Sequence, residues 1–116
     1  MHFGHNKPLY LQVKQDLENS ILSGKLKPGQ VIPSVRSLAG TYQINPSTAQ
    51  RALNLLRDEN LMQLNHRHFS VTSNPYLICH AREKQAKRLT QQLCASLSSL
   101  GYSRYDIFIS LSQTVQ

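Results

Sequence analysis

A chain of 116 residues with 40% hydrophobic side chains suffices for one compact domain with a small core, or for a small domain plus an oligomerisation arm. Its net charge of +7 and pI near 9.8 favour an anionic partner. No stretch nears the roughly 20 apolar residues of a membrane span, and Met1-His2-Phe3-Gly4-His5 has no apolar signal-peptide region, so a cytoplasmic protein without membrane contact is expected.

Pro8-Leu9-Tyr10-Leu11-Gln12-Val13 opens a first helix. Leu9, Val13, Leu17 and Ile21 repeat every four residues, with Tyr10 and Leu22 widening the apolar face. Gly24 ends it. Lys27-Pro28-Gly29 reads as a turn, with Pro fixing φ and Gly accepting a positive φ. Val31 and Ile32 suggest a very short strand. Ser34 then caps a second helix whose Val35, Leu38 and Ala39 face inward. Thr41 to Ile44 are expected to form the turn into a third helix.

That third helix is the most informative stretch: Asn45-Pro46-Ser47-Thr48-Ala49-Gln50-Arg51-Ala52-Leu53. Asn45 is an expected N-cap, its side-chain oxygen accepting from a first-turn N–H. Pro46 sits at the first helical position, where a missing N–H costs nothing. Ala49, Ala52, Leu53 and Leu56 form the apolar stripe. Ser47, Thr48, Gln50 and Arg51 lie on the other side. A helix presenting hydroxyl, amide and guanidinium groups from its first turns suits the major groove, where base edges offer donors and acceptors.

From Lys7 to Leu61 the order of motifs resembles the GntR family of transcription regulators. The residues that carry this are Pro8-Leu9-Tyr10-x-Gln12-Val13, Gly24-x-Leu26-x-Pro28-Gly29-x-x-Ile32-Pro33-Ser34-x-Arg36-x-Leu38-Ala39, and Asn45-Pro46-x-Thr48-x-x-Arg51-Ala52-Leu53-x-x-Leu56. The Asn-Pro-x-Thr start is most similar to the YtrA-like subfamily. The resemblance implies a winged helix-turn-helix over residues 1–75, α+β but mostly α, that binds double-stranded DNA. It implies DNA contacts at Arg36, Asn45, Ser47, Thr48, Gln50 and Arg51. The family's wing contains glycine. Here Gln63-Leu64-Asn65-His66-Arg67-His68-Phe69-Ser70-Val71 has none, so His66 and Arg67 at its tip are expected to meet the DNA backbone. Asn60 stands where the family has a turn glycine, and Asn tolerates that left-handed position.

After Ser73-Asn74-Pro75, residues 76–100 read as a long helix with Leu89, Leu93, Leu97 and Leu100 along one side. Gly101 stops it. Ser103 and Asp106 make a capping box for a last helix carrying Ile107, Phe108 and Leu111 on its apolar side, with Val115 beyond them. Two helices leave an apolar face uncovered, so residues 76–116 are expected to form a homodimer through these seven leucine, isoleucine and phenylalanine positions, Leu89 to Leu111. The subfamily resemblance implies the same tail function. It also implies a repressor of an inverted-repeat operator ahead of its own operon, one that can encode a membrane transporter. A small-molecule effector, if one acts, would do so by favouring one spacing of the two reading heads.

Other chemistry finds less support. Residues 1–75 carry eight Lys/Arg against four Asp/Glu, and residues 76–116 five against two, so the charge is not confined to the reading head. The Arg82–Arg88 cluster reads as a solvated helix face rather than a DNA contact. His66-x-His68 on a strand would put two imidazoles on one face, near Cys79-His80 in sequence, but no Cys-x-x-Cys or His-x-x-x-His accompanies them, and neither metal nor cofactor is expected. Arg36 has a second reading, pairing with Asp58 or the backbone. Tyr10 and Tyr42 read as core packing rather than stacking platforms. Cys79 and Cys94 lie about 22 Å apart along one helix, too far to bridge, and read as reduced thiols, Cys94 as a small apolar residue. There is no P-loop, Gly-x-Ser-x-Gly or tuned carboxylate pair, so no enzyme is expected. A winged-helix architectural or replication protein, or a protein–protein module, remains open beside the regulator reading.

Overall fold

The computed structural model describes residues 7–115. The N-terminal stretch searched for a signal segment lies outside them. Seven elements follow in order: α1 (Leu9–Leu22), α2 (Val35–Tyr42), α3 (Pro46–Asp58), β1 (Met62–Asn65), β2 (His68–Val71), α4 (Pro75–Ser99) and α5 (Arg104–Thr114). Helices therefore dominate, with one small antiparallel sheet, and the fold is a winged helix-turn-helix followed by two helices. No helix is long and apolar enough to cross a membrane among the described residues.

The chain divides into two compact units after Ala81. The first unit owns one core, to which every element up to the start of α4 contributes. Val13, Leu17, Ile21 and Leu22 come from α1, Leu38, Ala39 and Tyr42 from α2, and Ala49, Ala52, Leu53 and Leu56 from α3. Leu61, Met62, Phe69 and Val71 close it from the wing, and Ile78 joins from the first turn of α4 with Ala81 packed alongside. The α3 stripe is fully buried at all four positions, as its spacing requires. Leu9 departs from the expected α1 face and is 39% exposed, because the first helical residue lies beyond the reach of the helices that cover Val13 and Leu17.

The Lys27-Pro28-Gly29-Gln30 turn closes with Gln30 N donating to Lys27 O at 3.0 Å, and Gly29 takes φ 78°. A Cβ there would sit 3.3 Å from Ser73 Oγ, so conformation and space both call for glycine. Beyond the turn, Ile32 N donates to Phe69 O and Val71 N to Gln30 O, and Val31 bridges Ser70. The short Val31–Ile32 segment thus pairs beside β2, whose other edge pairs with β1 in the register Met62↔Val71 to Asn65↔His68.

Helix ends follow one device. In α2 and α3 the last turn closes by paired backbone bonds: Gln43 N to Gly40 O with Ile44 N to Ala39 O, and Asn60 N to Arg57 O with Leu61 N to Leu56 O. Each needs a left-handed residue, supplied by Gln43 (φ 57°) and Asn60 (φ 63°). Asn60 fills the role expected of it. Gln43 was not foreseen, and α2 runs through Thr41 and Tyr42 instead of ending before them, so the turn is tighter than the sequence suggested. Glutamine pays about 1–2 kcal/mol for this conformation, partly offset when glycine's looser unfolded chain is counted. Gln43→Gly should therefore stabilise the chain by about 0.5–1 kcal/mol, read as a higher urea midpoint at unchanged slope; a lower midpoint would count against a strained Gln43.

In the second unit α4 closes the same way, Gly101 N to Ser98 O and Tyr102 N to Leu97 O, with Gly101 at φ 91°. The expected capping box opens α5: Ser103 Oγ accepts from Asp106 N, and the Asp106 carboxylate accepts from Ser103 N, both at 3.1 Å. Those bonds hold the Asp106 pKa below its usual value. Ile107 is buried within the chain. That corrects its place on the apolar face expected to pair with a second copy: its side chain is already covered within the chain. Leu89, Leu93, Leu100 and Phe108 are exposed, and Leu97 and Leu111 half-buried.

Candidate nucleic-acid interface

The site is built around the first two turns of α3. Both α1 and α2 pack against this helix, and its buried stripe leaves Asn45, Ser47 and Arg51 exposed with Thr48 and Gln50 half-buried. Asn45 does not cap as expected. Its backbone carbonyl accepts from Thr48 N at 3.0 Å and Ala49 N at 3.2 Å, but its carboxamide makes no capping bond. The second Asn-Pro start in the chain behaves otherwise: Asn74 Oδ1 accepts from Tyr76 N at 2.9 Å at the head of α4. Pro46 already removes one N–H from the first turn of α3, and the solvated Asn45 side chain keeps all its donors and acceptors available.

Gln50 Nε2 donates to Asn54 Oδ1 at 3.0 Å. This bond along one helix face fixes the carboxamide while leaving Gln50 Oε1 and its second N–H unused. Arg51 lies with its guanidinium carbon 3.7 Å from the centroid of the Tyr10 ring. Tyr10 is thus a stacking platform, contrary to the expectation that it only packs. Tyr42 does pack in the core, and its hydroxyl donates to the Asp16 carboxylate. Burial first, and that carboxylate second, push the Tyr42 pKa far above the usual phenol range.

Arg36 is the second residue of α2 and is exposed. The helix start before it is fixed by Ser34 Oγ accepting from Ser37 N at 3.2 Å. Asp58, its suggested ion partner, lies instead 4.0 Å from the neighbouring Arg57. Among the described residues no carboxylate pairs with Arg36, Arg51 or Arg67. His66 and Arg67 form the two-residue tip of the β1–β2 hairpin, both exposed, with His66 at φ 56°. His66 therefore sits in the turn and does not share a strand face with His68. Among the described residues no group of three or more His, Cys, Asp or Glu could hold a metal ion.

Two of the carboxylates, Glu18 and Glu59, share one lysine. Lys14 Nζ is 3.0 Å from Glu18 and 2.8 Å from Glu59, tying α1 to the C-terminal end of α3. Glu18 is buried. Sequence reasoning missed this trio, as it missed Asn54 and the Tyr10 stack. Lys14 and Glu18 are four apart, a readable hint, but Glu59 and Tyr10 meet their partners only through the fold. The cations at the start of α2, the start of α3 and the hairpin tip are thus left without a carboxylate partner among the described residues.

Residues 9–68 match the model of the bacterial regulatory proteins, gntR family. The chain is 38% identical over 56 residues to the HTH-type transcriptional repressor YtrA of Bacillus subtilis, a match covering 48% of this chain and 43% of that protein. It is 38% identical over 52 residues to the arabinose metabolism transcriptional repressor of Geobacillus stearothermophilus, covering 45% of this chain and 14% of that one. The match therefore spans less than half the length of either curated relative. A solved GntR family transcriptional regulator from Listeria monocytogenes superposes with a TM-score of 0.89 at 28% identity, covering 98% of this chain and all of that one.

Proposed function

Because the chain belongs to the gntR family of bacterial regulatory proteins, we propose that it is a cytoplasmic DNA-binding transcription regulator, a dimeric repressor of an inverted-repeat operator. The observation that carries this is the α3 start: its apolar side is wholly buried while Asn45, Ser47, Gln50 and Arg51 keep unused donors and acceptors on the other. Such a helix start placed in the major groove meets base edges with bidentate-capable groups. Arg36 and Thr48 join it beside the same groove. His66 and Arg67 reach the flanking backbone, where a short, glycine-free tip offers charge and no minor-groove fit. Residues 1–75 carry the reading head, and residues 76–116 pair two copies through Leu89, Leu93, Leu97, Leu100, Phe108 and Leu111. By the resemblance to YtrA-like regulators, the regulated operon is proposed to be the chain's own and to encode a membrane transporter. Deleting the gene should then raise the neighbouring transcripts; a fall would remove the repressor assignment.

Base readers and backbone anchors separate by salt and sequence. Gln50→Ala should cost about 1–3 kcal/mol at one base position and little elsewhere. Arg67→Ala should weaken every duplex alike and reduce the salt slope by about one. Anisotropy titrations on single-base operator variants at several salt concentrations distinguish the two. A Gln50→Ala preference profile identical to that of the wild type would remove Gln50 as a reader.

A further inference from the structure

We propose that Tyr10 is a positioning residue for DNA reading: its ring holds the Arg51 guanidinium in the orientation in which Arg51 engages DNA. The inference rests on the DNA-binding role proposed above and specifies how one of its contacts is set. Two observations and one property of the guanidinium support it. The guanidinium carbon stands 3.7 Å from the ring centroid, a separation at which the cation's flat face meets the π cloud. A guanidinium lying flat on a ring at that distance keeps its N–H donors, which lie in the guanidinium plane, clear of the ring. Among the described residues no carboxylate competes for those donors.

A free arginine loses several rotamers when it binds. Arg51 extends from an exposed position on α3, and among the described residues its side chain has no ion pair. Tyr10 belongs to α1, is half-buried and packs from a helix that is itself fixed against α3. The ring therefore restricts Arg51 before DNA arrives, which reduces the ordering cost at binding. The phenol hydroxyl takes no part in the stack, so a phenylalanine ring should serve equally.

The test uses the full chain and the duplex that the wild-type chain enriches from a random pool, with a scrambled duplex as reference. Tyr10→Leu should lower the preference for the enriched duplex by about 3- to 10-fold, the range expected for freeing one long side chain. Tyr10→Phe should retain it. In an Arg51→Ala background, Tyr10→Leu should cost nothing further. In the DNA-free chain, the Arg51 Nε–H resonance should show a ring-current shift that Tyr10→Leu abolishes and Tyr10→Phe keeps. Equal loss in Tyr10→Phe, or undiminished loss in the Arg51→Ala background, would overturn the inference by making Tyr10 a contact of its own. A preference indifferent to Tyr10 would overturn it too. If the wild-type chain enriches nothing, the proposed function falls and takes this role with it, whereas the free-chain resonance still reports the stack.

Discussion

Lys14→Met should destabilise the chain by about 2–3 kcal/mol, a large effect for a surface-facing lysine. Exposed ion pairs usually contribute about 0–1 kcal/mol, and the Glu59 arm, with that carboxylate side chain 45% exposed, belongs to this class. The Glu18 arm does not. The Glu18 side chain is only 10% exposed and its partner Lys14 17%, so removing the ammonium strands a carboxylate in the low-dielectric seam between helices. Breaking a fully buried pair costs about 3–5 kcal/mol, and the partial opening here lowers that figure. Glu59→Gln should cost about 0.5 kcal/mol. Lys14→Met with Glu18→Leu should recover much of the loss, since the stranded charge is then gone. Urea unfolding of the three variants checks this; a Lys14→Met loss no larger than that of Glu59→Gln would show that Glu18 is solvated.

The same trio shapes the alkaline limit. Burial by itself lowers the Lys14 pKa, but hydrogen bonds and attraction from Glu59 and Glu18 prevail and raise it above 10.5. Tyr42 is likewise raised above its usual 10.0. In both groups the folded state holds the proton more tightly. Their contribution is complete below about pH 10 and is lost as pH rises through the raised values. Stability should be level on approach to pH 10 and fall beyond it, less steeply in Lys14→Met.

The second large effect concerns the proposed dimer. Leu89 and Leu93, 52% and 41% exposed, belong to the apolar face that the proposed second copy covers. Replacing both by Glu should produce a monomer in sedimentation with the winged unit still folded, because neither residue belongs to its core. Loss of the second reading head removes the gain from linked half-sites, which is of order 10²–10⁴ in affinity. Binding to the two-half-site duplex should drop by about that factor, and binding to a single half-site should stay unchanged. A dimer that survives both substitutions would place the interface elsewhere.

What was legible in the sequence is what local chemistry writes there. The α3 stripe, Gly29 in its turn, Asn60 in its left-handed position, and the Ser103–Asp106 box each follow from a few adjacent residues. The misreadings share a different cause. The Asn45 side chain and the Asn74 side chain stand in the same Asn-Pro setting yet differ in bonding, so residue type alone does not fix a cap. Gln43 carries no turn signal, yet it takes the left-handed turn between the packed helices α2 and α3. Tyr10 with Arg51 and Lys14 with Glu59 are pairs made between α1 and the α3 segment; no spacing rule connects residues so far apart in sequence. The apolar side of α5 read from its spacing does not separate Ile107, which is buried, from Phe108, which is exposed.

The opening of α3 is proposed to read a specific, two-fold symmetric DNA sequence, and selection from a random duplex pool with the purified full chain puts this to the test. An inverted repeat should be enriched, its half-site centres about one helical turn apart, roughly 10 base pairs, or a multiple of that, and enrichment should weaken in Arg51→Ala. A pool that stays unenriched, with binding governed by salt alone, would contradict it.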